Sequence, residues 1–151
     1  MEYYIRDIKP DNFLIFDIEN TDKSIINSKL TDFGSSRNIN LLQTNMTFTK
    51  GIGTPTFMAP EILNKKQYKK PSDVYSFAIT MYEVMKWGEA YPKSQFKFSW
   101  QIASFIQEGN RLSLDFISNE TMKEIISKSW QEEPKERLTI EEIQSKLESI
   151  V

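Results

Sequence analysis

Apolar and polar positions divide the chain into two regimes. In the first third the apolar residues come in short runs. Residues 12–16 (NFLIF) and 28–34 (SKLTDFG) are joined by the polar connector DIENTDKSIIN, and this layout predicts a β-hairpin. Residues 35–56 are rich in Ser, Thr, Asn and Gly without a sustained period, which predicts a long surface loop. After Pro60 the period becomes helical. The segment KKPSDVYSFAITMYEVMKWG predicts a helix with Pro71 at its start and Gly88 just past its end. Val74, Phe77, Ala78, Met81, Val84 and Met85 mark one face, while Tyr75, Ile79 and Tyr82 make the other sides apolar, so this helix should be central and buried. SWQIASFIQEGN predicts a shorter helix ending near Gly109. SNETMKEIISKSW puts Met122, Ile125, Ile126 and Trp130 on one stripe behind a Ser118/Asn119 cap. LTIEEIQSKLESIV opens with Thr139 and Glu142 at capping-box spacing and turns Ile143, Leu147 and Ile150 inward. The pattern implies an α+β chain, mainly α, with a small β element followed by a helical body.

Composition narrows the chemistry. A chain of 151 residues with 39% hydrophobic content can bury one core. The 19 basic and 21 acidic residues nearly cancel, so no field of one sign points to nucleic acid or an anionic membrane. No apolar run is long enough for a bilayer, and MEYYIRDIKP has no h-region of a signal peptide. The counts of Cys and His are both 0, which excludes Ser-His-Asp and Cys-His chemistry and imidazole or thiolate zinc sites from these residues. Absence of Cys fits a reducing compartment, and the expected location is cytoplasmic. Carboxylates, amides, hydroxyls and amines remain, a set suited to a hard cation such as Mg²⁺.

Three motifs follow in order: RDIKPDN, with Arg6, Asp7, Lys9 and Asn12; DFG, with Asp32, Phe33 and Gly34; and APE, with Ala59, Pro60 and Glu61. Each alone is weak, and their order around a Thr-rich loop is specific. Together they resemble the signature set of the protein kinase superfamily. GTPTFMAPE, SDVYSFA and WQEEPKERLT extend the likeness from Tyr4 onward, the last being similar to the ending of tyrosine-kinase and tyrosine-kinase-like members.

The resemblance implies a Ser/Thr protein kinase that uses ATP and Mg²⁺ to phosphorylate hydroxyls of protein substrates in signalling. It implies that Asp7 orients the incoming hydroxyl, Lys9 sits by the γ-phosphate, and Thr54 bridges the two. Asn12 and Asp32 would hold Mg²⁺. Glu61 and Arg137 would form a buried ion pair, and Asp73 would bond backbone N–H groups of the loop around Asp7. Arg6 would pair with a phosphate on Thr47 or Thr49. Ile5 stands where the family usually has His, keeping an apolar contact with Phe33 and losing a polar one. Residues 1–151 contain no G-x-G-x-x-G and no Val-Ala-Ile-Lys strand. The expected fold is therefore the C-terminal lobe of a kinase domain alone, inactive without the N-terminal lobe or a partner covering the ATP-facing surface. The alternative is a non-catalytic, kinase-like protein-binding module. Lys65, Lys66, Lys69 and Lys70 read as a solvated face, with attraction of acidic peptides as the sharper alternative.

Overall fold

The computed structural model describes residues 3–17, 26–33, 37–38 and 55–150. The order of elements is β1 (Tyr3–Tyr4), β2 (Phe13–Asp17), β3 (Ile26–Leu30), β4 (Arg37–Asn38), α1 (Pro60–Leu63), α2 (Lys70–Lys86), α3 (Ser99–Gln107), α4 (Glu120–Ser129) and α5 (Ile140–Glu148). Strands β2 and β3 form the predicted antiparallel hairpin, in a register that sets Phe13 opposite Leu30 and Asp17 opposite Ile26. β3 begins two residues before the apolar stretch read from the sequence and ends before Asp32. A second ladder pairs Tyr3 with Asn38 and Tyr4 with Arg37, inside the segment expected to be all loop. Two-residue strands leave no alternation to detect.

The helical body is built around α2. Tyr75, Ala78 and Ile79 have no exposed surface, and they join Ile106, Ile125, Ile126, Trp130 and Ile143 in one core. Helix α2 packs chiefly against α4, and α4 in turn against α5. Burial of such side chains contributes roughly 1.5–3 kcal/mol each before conformational entropy is subtracted. Caps define the ends. Asn119 accepts a hydrogen bond from the Met122 N–H (3.0 Å). Thr139 and Glu142 form a reciprocal box, Thr139 N–H donating to Glu142 Oε2 (2.7 Å) and Glu142 N–H to Thr139 Oγ1 (3.2 Å).

Three inward assignments differ from the pattern. Val84 is 58% and Met85 37% exposed, because α2 is buried only as far as Tyr82 and its last turn projects beyond the core. Ile150 is 40% exposed, lying past the end of α5 where the helical period no longer governs direction. The turn out of α2 leaves Gly88 just past the helix end, as expected. Trp87, not Gly88, takes the left-handed cap conformation (φ 56°), and its ring is 92% exposed.

Candidate active site

The site begins with a strained backbone. Arg6 has φ 68°, a region that non-glycine residues enter at a cost. Asp73, in the first turn of α2, holds it there. One carboxylate oxygen accepts from Ile5 N–H (3.0 Å), and the other from Arg6 N–H (2.9 Å) and from the Tyr68 hydroxyl (2.6 Å). The Arg6 guanidinium carbon stands 5.6 Å from the Tyr68 ring centroid. The segment before Asp7 is thereby fastened to the most buried helix of the molecule. Burial and then the neighbouring Asp73 charge hold the Tyr68 phenol far above its ordinary pKa, so it remains a donor.

Pro10 opens a 3₁₀ turn over Pro10–Asn12, its ring matching the required φ at a position needing no N–H. Asn12 N–H closes the turn onto Lys9 O (3.0 Å). This folds Asn12, which is buried, back against Asp7. Its amide nitrogen donates to the Asp7 carbonyl (2.7 Å) and to Asp7 Oδ2 (3.0 Å). Lys9 Nζ lies 3.0 Å from the same Oδ2. Asp7, Lys9 and Asn12 thus form one contiguous polar cluster.

Hairpin geometry supplies Asp32. Thr31 donates both its N–H (2.7 Å) and its hydroxyl (3.1 Å) to the Asn12 carbonyl, so the residue after it emerges beside Asn12. Asp32 is exposed and has φ 56°, which Asp tolerates better than most residues. Phe33 is 59% exposed. Thr47, Thr49, Thr54 and Gly34 lie outside the described residues.

The donor set fits Mg²⁺ in kind. With the Asn12 amide nitrogen committed to Asp7, its oxygen is the atom left to act as a ligand, and Asp32 adds a carboxylate close in the chain to Thr31. No group of three or more acids, as a self-sufficient metal cage would need, occurs among the described residues.

Glu61 and Arg137 meet away from this cluster. Arg137 NH1 and NH2 donate to the two Glu61 oxygens at 2.8 and 2.7 Å, a two-pronged pair with the Arg side chain fully buried. Ser72 Oγ adds a third hydrogen bond to Glu61 (2.7 Å). Burial pushes the Glu61 carboxyl up, but Arg137 and Ser72 more than offset it, and the net pKa is lowered. Pro60 and Glu61 therefore stand on a fixed floor under the segment that precedes α2. The sequence reading missed Tyr68, Ser72 and Thr31. A tyrosine inside a lysine run was the one visible hint for Tyr68.

A family profile described as the protein kinase domain matches residues 2–147. The chain belongs to the protein kinase family. It is similar to "Probable serine/threonine-protein kinase gdt9" of Dictyostelium discoideum, 38% identical over 126 residues, covering 83% of this chain and 8% of the relative. "RGS domain-containing serine/threonine-protein kinase A" of the same organism is 33% identical over 146 residues, 97% of this chain and 12% of the relative. "Dual specificity protein kinase shkA", also from Dictyostelium discoideum, is 30% identical over 152 residues, 97% of this chain and 26% of the relative. The chain thus spans between 8% and 26% of the length of these relatives. No helix among the described residues is long and apolar enough to cross a membrane.

Proposed function

We propose that residues 1–151 are the C-terminal lobe of a Ser/Thr-directed protein kinase domain of the tyrosine-kinase-like branch. The observation that carries this reading is the cluster in which Asp7 Oδ2 meets both Lys9 Nζ (3.0 Å) and the Asn12 amide (3.0 Å). A binding module has no physical need of such a group. Mg²⁺-ATP, when bound, supplies the transferable phosphoryl group and the charge neutralisation that phosphoryl transfer demands. In this reading Asn12 and Asp32 hold the metal through oxygen atoms. Asp7 accepts the hydrogen bond of the substrate hydroxyl and aims its oxygen, Lys9 places a positive charge beside the γ-phosphate, and Thr54 bridges Asp7 and Lys9. Adenine and the outer phosphates need a second wall, supplied by an N-terminal lobe or a partner. Partners are protein substrates with Ser or Thr, without nucleic acid or membrane, and the location is cytoplasmic.

The test is Mg²⁺-dependent phosphate transfer from ATP to Ser/Thr peptides by the kinase that contains these residues. Asp7→Asn should abolish it, and residues 1–151 alone should show little or none. Robust turnover by the Asp7→Asn form would refute the assignment. Arg6 extends the reading to regulation. Its Nε is buried without a hydrogen-bond partner, a site for a phosphate on Thr47 or Thr49. Unchanged activity in Thr47→Ala and Thr49→Ala variants would remove that role. The non-catalytic alternative draws on Ile5 and on the exposed Phe33 ring. Failure of the kinase that contains these residues to bind Mg²⁺-ATP would select it.

A further inference from the structure

Exposed charge is unevenly spread on this chain. Residues 62–72 (ILNKKQYKKPS) carry four lysines and no acid, although acids outnumber bases 21 to 19 overall. Lys65, Lys66, Lys69 and Lys70 are all exposed. Among the described residues, no carboxylate pairs with Lys65, Lys66 or Lys69. The two acids that bracket the run are already engaged, Glu61 by Arg137 and Asp73 by Ile5, Arg6 and Tyr68. The charges of Lys65, Lys66 and Lys69 are therefore not neutralised by a direct ion pair among the described residues.

The run is also held in place. Asn64 Oδ1 accepts from Gln107 Nε2 at the end of α3 (2.8 Å), and Lys66 N–H donates to Glu61 O (2.8 Å). Tyr68, only 8% exposed, docks its hydroxyl on Asp73 and lies under the Arg6 guanidinium. Arg6 adjoins Asp7. Lys66 and Lys69 are within two residues of Tyr68, so the run is tethered to the segment that carries Asp7.

We propose that Lys65, Lys66 and Lys69 form a subsite for anionic side chains, selecting substrate peptides with acidic residues flanking the phosphorylated hydroxyl. This rests on the kinase reading above and adds a substrate class to it. The shared chemistry is a carboxylate or phosphate on an extended peptide. Each exposed pair changes affinity about 1.5- to 5-fold, so three together give a preference on the order of tenfold that salt screens.

The experiment titrates residues 1–151 into fluorescently labelled Ser peptides and reads anisotropy at low and high salt. The peptides carry Gln, Glu or phosphoserine on either flank. Glu and phosphoserine peptides should bind about tenfold tighter than Gln peptides at low salt. The combined variant Lys65→Gln, Lys66→Gln, Lys69→Gln should erase the difference, whereas Lys135→Gln should retain it. All of these positions are exposed, and an unchanged urea midpoint verifies the fold. Selection of phosphoserine alone upholds the subsite and assigns it to phosphopeptides. Equal binding of Glu and Gln peptides, or a preference that survives in the combined variant, overturns it. Equally tight, lysine-dependent binding of a labelled single-stranded oligonucleotide overturns it as well, since the patch would then attract any polyanion. The readout needs no phosphotransfer. An Asp7→Asn chain should keep the preference, and a kinase active on neutral peptides without acid selection would sink the subsite alone.

Discussion

Removing either partner of the Glu61–Arg137 pair is the sharpest test of how the helical body is held together. Arg137 has a side chain with no exposed surface. Besides Glu61, its guanidinium donates to the carbonyls of Gln131 (2.8 Å), Pro71 (2.8 Å) and Glu132 (3.2 Å), and its carbon lies 5.2 Å from the Tyr75 ring centroid. Glu61→Ala strands that cation in the interior. Arg137→Ala strands a carboxylate and three carbonyls. Either should cost about 3–5 kcal/mol, a large part of the roughly 5–15 kcal/mol available to a domain. The double variant should cost clearly less than the sum, because it strands neither charge. Urea unfolding of residues 1–151, followed by far-UV circular dichroism and by the fluorescence of buried Trp130, gives the three values. Single variants that each lose less than about 1 kcal/mol, or strict additivity, would refute the argument. Acid adds a second reading. Because the folded pKa of Glu61 is depressed below 4.5, the stability it contributes is present above that value and lost as pH falls through the lowered one. Arg137→Ala should abolish that part of the acid transition.

Other expectations follow from single groups. The Tyr75 hydroxyl is buried without a hydrogen bond of acceptable geometry, although the Tyr91 phenol is near it. Tyr75→Phe should therefore leave the urea midpoint unchanged or raise it, and a loss above about 1 kcal/mol would mean that a real hydrogen bond was removed. Burial pushes the Tyr75 pKa from 10.0 up to about 12. Its contribution is intact below pH 10 and lost as pH rises toward 12, so alkaline titration of the phenol absorbance should coincide with unfolding. Asp73→Ala leaves Ile5 N–H, Arg6 N–H and the Tyr68 hydroxyl without their acceptor. At about 1–3 kcal/mol for each group left unsatisfied, it should destabilise the chain by several kcal/mol, and faster hydrogen exchange at Arg6 should report release of the strained loop. Asn12→Ala should weaken Mg²⁺-dependent phosphotransfer in the kinase that contains these residues, and retained turnover would remove Asn12 from the metal set.

Periodicity and motif order carried much of this molecule in the sequence itself. The 3.6-residue recurrence marked α2 through α5, because a helix that buries one stripe must repeat its apolar residues at that interval. Asn119 and the Thr139/Glu142 box were legible because caps are local. Asp7, Lys9 and Asn12 stood out because one proline-led turn brings all three together over six residues. Tertiary structure decided what no local pattern encodes. The reach from Asp73 to Ile5 and Arg6 spans 68 and 67 positions, and that from Arg137 to Glu61 spans 76. A carboxylate at the start of a helix looks the same in sequence whether it faces water or clamps a strained loop. Tyr68 shows the difference: within a run of solvated lysines it alone turns inward, because packing offers its ring a guanidinium and its hydroxyl a buried acceptor.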